Sequence, residues 1–366
     1  MIQTQQGIAS DSDSAMHLPQ TLEAFAYQVI EEQYRRVAKQ EKKVLADKDP
    51  EALHQMRVGT RRLRTALQVF GSAIEIPKAG SAQRLRDLAS VLGDVRDLDV
   101  QRVSLEQEYR PHLNKKEQKQ LDKVSKALQK QRVKVFARMQ AVLSQPRYQE
   151  LKTTYDDWLK RPRYTPVAQL PLSVLLPDLL GPLLSHLLLH PGWLISSKET
   201  SGEKGTMLHE LRKACKHARY QAEFFTPFYG AAFQDWVAEI KALQDQLGEF
   251  QDTQVFLELV TKTLGRELRL PDLQAAIEQK QRGALINWEE IRHKYLDEGF
   301  RYHLHRMLLQ PIVQASQGHP ELAGSRSVGE QKCPSAVSDT ARLQGDRGNR
   351  LTGSAEEGRV SGESEE

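Results

Sequence analysis

The chain has 366 residues, of which 39% are apolar, 27% charged and 7% aromatic, enough to bury a core and to exclude a wholly disordered polymer. Two cysteines, Cys215 and Cys333, exclude a disulfide scaffold and a cysteine-rich zinc site, and they fit a reducing compartment such as the cytoplasm. The net charge of +4 divides unevenly: residues 1–20 carry −2 and residues 315–366 carry −3, which leaves +9 on the body between them.

Residues 1–20 lack a basic region followed by an apolar run, so they read as a disordered segment rather than a secretory signal. From residue 21 helical apolar spacing dominates and strand signals are scarce, which predicts an all-α fold. Helices are expected over 21–46, 51–71, 81–109, 115–144, 147–160, 173–189, 205–226, 231–263 and 271–309. Asp49 and Pro50 before Glu51 read as an N-cap with a first-turn proline, and Pro77, Pro111, Pro146, Pro227 and Pro311 lie at or near the breaks. Leu170–Ile195 is apolar enough to suggest a membrane span. Prolines 171, 177, 182 and 191, with Asp178, Gly181, His186 and His190, interrupt it, so a buried helix after a linker is expected and no membrane partner. Residues 313–366 are rich in Gly and Ser without apolar period and read as a disordered tail.

The body repeats at an offset of 155. LHQMRVGTRRLRTALQVF (Leu53–Phe70) falls on LHELRKACKHARYQAEFF (Leu208–Phe225), and without a gap LASVLGDVRDLDV (Leu88–Val100) falls on LQDQLGEFQDTQV (Leu243–Val255). One offset serving two motifs predicts two homologous helical bundles, residues 21–165 and 166–312, packed about a pseudo-two-fold axis.

At 100° per residue His54, Arg57, Arg61 and Arg64 form a cationic stripe beside an apolar one of Leu53, Met56, Leu63, Leu67 and Phe70. His209, Arg212, Lys216 and Arg219 repeat it, with Lys213 on the flank, beside Leu208, Leu211, Cys215 and Phe225. A solvated helix face would mix signs, because like charges one turn apart repel; two matched single-sign stripes predict a shared polyanion site. Cations one helical turn apart match a linear array of phosphates better than one small phosphate, and arginine forks bind phosphate oxygens in pairs. Each histidine could donate as well, more strongly when protonated.

Asp94, Asp97 and Asp99 invite a magnesium or calcium reading, yet the second copy offers only Glu249, Asp252 and Gln254. The better expectation is structural: Gly93 and Gly248 break or bend a helix, while Asp97 and Asp252 cap the next turn or orient nearby arginines. No phosphate loop, zinc-hydrolase pair or nucleophile elbow is present. Cys215 is expected in the core, and Trp158, Trp193, Trp236 and Trp288 read as packing residues.

These motifs resemble the CHAD domain, the conserved histidine α-helical domain, over about residues 21–310. The resemblance implies two four-helix bundles related by pseudo-symmetry, whose basic, histidine-bearing helices line a central groove or pore that binds inorganic polyphosphate. It implies association with polyphosphate granules. Carried across, the site residues are His54, Arg57, Arg61 and Arg64 with His209, Arg212, Lys216 and Arg219, and Arg62 and Lys213 at the margins. Lysine at 216 keeps the charge of Arg61 but loses its fork. The family often accompanies a triphosphate tunnel metalloenzyme domain; with no room for one here, a stand-alone binding module without metal, cofactor or catalysis is expected. Two alternatives remain. One is RNA binding, which the scarcity of stacking aromatics on the basic side disfavours, Tyr220 being alone there. The other is a metal-dependent phosphohydrolase built on Asp94, Asp97 and Asp99.

Overall fold

A computed structural model of the chain describes residues 21–200, 202–265 and 269–312. The expected disordered segments, 1–20 and 313–366, lie outside the described residues, as does Cys333. The fold is all-α. In the first half α1 (Leu22–Ala46), α2 (Pro50–Val69), α3 (Ala82–Ser104) and α4 (Lys115–Leu143) are followed by the shorter α5 (Pro146–Lys160). In the second, α6 (Leu172–Leu188), α7 (Gly202–Phe225) and α8 (Ala231–Leu264) are followed by α9 (Pro271–Ala284), α10 (Trp288–Leu296) and α11 (Glu298–Leu308).

Local chemistry sets most boundaries. Asp49 Oδ1 accepts from Glu51 N at 2.9 Å with Pro50 in the first turn, so α2 starts as its sequence requires. Two expectations are corrected. The helix expected over 81–109 keeps regular hydrogen bonding only to Ser104; its last turn widens until Arg110 N donates to Leu105 O, and Tyr109 stacks on Phe256 with ring centroids 4.2 Å apart. The helix expected over 271–309 is three helices. The chain turns after Ala284 so that buried Trp288 can donate its indole N–H to Ile195 O at 2.8 Å. Asp297 then restarts it by accepting from Phe300 N at 2.7 Å.

α2 packs between α1 and α3, and α7 between α6 and α8, while α2 also touches α7. The largest core is common to both halves, from Leu22 on α1 to Leu308 on α11. Phe70 and Phe225, which occupy the same place in the two repeats, are fully buried 6.3 Å apart, and Phe25 packs against both. α6 buries Leu172, Leu176, Leu180, Leu183, Leu184, Leu187 and Leu188 in this core, although the apolar stretch it opens, Leu172–Leu194, is long enough to cross a membrane. The four tryptophans are all buried.

A second contact crosses the halves where α4 and α9 begin. Glu117, almost fully buried on α4, accepts from the backbone N–H of Asp272 at 3.1 Å and of Leu273 at 3.0 Å. In return Asp272 Oδ2 accepts from Asn114 N at 3.2 Å and from its side-chain amide at 2.7 Å. Each helix thus supplies a carboxylate to the other's N-terminus, where free N–H groups favour negative charge. Glu117 and Asp272 are themselves related by the repeat offset of 155.

Candidate functional site

α2 and α7 each turn one face inward and present a second, cationic face to the other. On α2 the buried face is Leu53, Met56, Thr60 and Leu63, and His54, Arg57, Arg61 and Arg64 beside it are half-buried. On α7 it is Leu208, Leu211, Cys215 and Ala218, and His209, Arg212, Lys216 and Arg219 are half-buried. The Lys216 ammonium lies among Arg61 and Arg57 from the first repeat and Arg212 and Arg219 from its own. Burial first, then those four guanidiniums, push its pKa down to about 7. The structure therefore brings Arg57 and Arg61 of one predicted stripe together with Arg212, Lys216 and Arg219 of the other along one seam, whereas the charges beside His54 and His209 are those of their own repeats.

The Gly-Asp segments serve this seam. The Arg57 side chain crosses α3 at Gly93, where a β-carbon would stand 3.4 Å from its Nε. Arg212 crosses α8 at Gly248, where a β-carbon would be 3.0 Å from both Nε and Nη2. Neither glycine ends its helix; each removes the side chain that would obstruct an arginine from the neighbouring helix. That corrects the expectation of helix breaks. Asp97, well inside α3, caps nothing and instead accepts from Arg57 Nη2 at 3.1 Å. Burial raises the Asp252 carboxyl above the usual range, and Arg212 opposes that shift.

The three aspartates of the metal reading diverge to different arginines. Asp97 holds Arg57, Asp99 accepts from Arg132 Nε at 2.5 Å, and Asp94 faces Arg138 at 3.9 Å. Among the described residues no group of three or more His, Cys, Asp or Glu is arranged to hold a metal ion. Cys215 is buried, and burial raises its thiol to about 12, so it packs rather than reacts.

Not every predicted site residue faces open solvent or an unpaired environment. Arg62 pairs with Glu223 across the two helices, its guanidinium 5.3 Å from the Phe224 ring centroid. Arg219 reaches the same carboxylate at 3.3 Å and lies 4.7 Å from the Tyr220 ring centroid. Lys213 is exposed and pairs with Glu210 at 2.7 Å. Burial lowers the pKa of His54, with Glu51 opposing and Arg96, Arg57 and Arg61 adding; burial lowers that of His209, with Lys213 and Arg212 adding. Burial likewise draws Arg57, Arg61 and Arg64 below their ordinary range. Among the described residues the Nε–H groups of Arg57, Arg62, Arg64 and Arg212, and Nδ1 of His209, are buried without a protein hydrogen-bond partner.

Sequence reasoning missed four participants. Arg96 lies beside His54 and Arg57, and Arg86 beside Arg64. His217 has its pKa pushed to about 4, chiefly by burial and then by Arg64. Glu223 ties Arg62 to Arg219. Comparing repeats hides two of them, because Arg96 falls on Gln251 and Glu223 on Gln68. Only helix-face angles computed over all of α3 and α7 would have raised them.

The model of the CHAD domain family matches residues 28–261. Two solved structures are similar. The crystal structure of the CHAD domain from the plant Ricinus communis is 22% identical, with 81% of this chain and 94% of that one covered and a TM-score of 0.54. PptA from Streptomyces chartreusis is 14% identical, with 80% and 98% covered and a TM-score of 0.53. No curated protein matches the chain in sequence. Since the matched region runs through both cationic stripes and both glycines beneath them, and takes in well over half of the sequence, this chain belongs to the CHAD domain family.

Proposed function

We propose that the protein binds inorganic polyphosphate along the α2–α7 seam, without chemical conversion and without metal or cofactor. The observation that carries this reading is the placing of Lys216 among four arginines from both repeats. Among the described residues the carboxylates that reach these cations, Asp97, Asp252 and Glu223, are too few to neutralise them. A protein surface with only a structural task would separate such charges, since each half-buried cation raises the cost of its neighbours. A phosphate polymer answers both deficits: it brings negative charge, and its oxygens accept from the buried guanidinium N–H groups that have no acceptor among the described residues. Family membership supports the same ligand. On this reading the protein works in the cytoplasm, at polyphosphate granules.

Calorimetric titration with orthophosphate and with polyphosphates of defined length tests this. Affinity should rise with chain length and fall with salt, as counterion release requires. Arg57→Ala/Arg61→Ala/Arg212→Ala, with helicity unchanged by circular dichroism, should bind at least about tenfold more weakly, or roughly 1.4 kcal/mol. Equally weak binding of orthophosphate and long polymer overturns the reading. Displacement by an equal amount of RNA phosphate would favour nucleic acid instead. Magnesium-dependent phosphate release lost in Asp97→Ala would favour a hydrolase.

A further inference from the structure

α4 carries a second single-sign surface that the seam does not use. Lys116, Lys119, Lys123, Lys126, Lys130 and Lys134 are all exposed. At 100° per residue they fall within an arc of about 80°, and at 1.5 Å per residue they extend for about 27 Å. The buried face of α4, with Glu117, Leu121, Val124 and Leu128, points the opposite way. The ion pairs on α4 belong to other residues: Asp122 with Arg110, Arg132 with Asp47 and Asp99, and Arg138 with Asp94. Among the described residues none of the six lysines stands in one.

The repeat supplies an internal comparison. At the offset of 155 the six lysines fall on Pro271, Gln274, Glu278, Gln281, Leu285 and Glu289. The equivalent positions of the second half, spread over α9, the turn after it and α10, are neutral or acidic, so the repeat does not carry this stripe in both halves. Each neighbouring pair of lysines repels at three- or four-residue spacing; Asp122, three residues after Lys119 and four before Lys126, borders the stripe but is engaged by Arg110 at 2.7 Å. We propose that this outer face of α4 is a second polyphosphate site, and that it makes the protein bivalent toward long chains. The proposal rests on the polyphosphate reading of the seam.

The chemistry of the stripe favours that polymer over other polyanions. Within the arc of the six lysines there is no aromatic side chain on which a base could stack and no arginine fork; Arg138, one turn beyond Lys134, faces Asp94 at 3.9 Å. The apolar face of α4 is turned into the protein, so the helix cannot lie in a bilayer interface. What it offers is a row of flexible point charges one turn apart, suited to an evenly charged, featureless chain. A polymer longer than the seam can occupy the seam of one molecule and the stripe of another, so protein and polymer should cluster.

The test uses the full chain with Lys119→Gln/Lys123→Gln/Lys126→Gln/Lys130→Gln, since glutamine matches lysine in helix propensity. Tripolyphosphate probes the seam and long-chain polyphosphate probes both surfaces, by calorimetry and by light scattering at low salt. The variant should bind tripolyphosphate like wild type. It should bind long chains about fivefold or more weakly, with a shallower salt dependence after losing four phosphate-facing charges. Clustering should disappear. Wild-type clustering and long-chain affinity in the variant overturn the proposal. So does displacement of long chains from the stripe of Arg57→Ala/Arg61→Ala/Arg212→Ala by equal charge of RNA or phosphatidylserine vesicles. Failure of wild type to bind tripolyphosphate sinks the seam reading alone; the stripe is then judged by long-chain affinity, wild type against lysine variant.

Discussion

Lys216 concentrates the electrostatics of the site in one side chain. Its pKa falls from 10.5 to about 7 on folding because the ammonium is buried among four arginines. The unfolded chain therefore holds more protons between those values, so stability rises with pH across that window and is lowest below it. Melting temperature should climb from about pH 7 to about pH 9 in wild type and stay flat in Lys216→Met. A bound polyanion reverses the preference, because negative charge favours the protonated amine. Binding at about pH 8 should then take up protons, seen as a calorimetric enthalpy that changes with the ionisation heat of the buffer, and Lys216→Met should abolish that dependence. The histidines behave otherwise than charged donors would. Burial lowers the pKa of His54 and His209, so at neutral pH each offers a neutral imidazole with one N–H.

At the scale of helix pairs, the glycines beneath the arginines yield a test that separates packing from binding. Alanine inside a helix is ordinarily more stable than glycine by about 1 kcal/mol. At Gly248 the new methyl would stand 3.0 Å from Arg212, so the guanidinium must move. Gly248→Ala should hold or raise stability in denaturant melts while weakening polyphosphate binding, and Gly93→Ala, with 3.4 Å available, should weaken it less. Helices, repeat and both cationic stripes were legible in the sequence, because apolar spacing and charge sign are local properties. The glycine motif was visible but its purpose was not, since the arginine it admits comes from another helix. The break after Ala284 was hidden for the same reason: the partners of Trp288 are Ile195 and Trp193, a whole repeat element away. Glu117 stands among lysines in the sequence, and only the fold shows it buried on the N-terminus of α9.

At the scale of the whole molecule, the sequence repeat does not divide the core. α1, α2, α5, α6, α7 and α11 contribute to one apolar cluster, and Phe25 packs against the equivalent phenylalanines of both repeats. A fragment of residues 21–165 would expose its half of that cluster to water, which costs about 25 cal/mol for each Å² of apolar surface. The full chain should therefore unfold in one calorimetric transition over residues 21–312, and the fragment alone should show none; two separate transitions, or a cooperatively melting fragment, would contradict the shared core.

That arrangement fixes α2 against α7. With Phe70 and Phe225 packed in the core, neither helix can slip a turn past the other without moving its arginines by about 5.4 Å. Mutual repulsion along the seam is met once, as the chain folds, and is not met again when an anion arrives. If polyphosphate binds there, the seam is set before it arrives, and ordering is left mostly to the ligand. A stiffer or shorter-spaced polyanion, with less freedom to lose, should gain most from that division of labour.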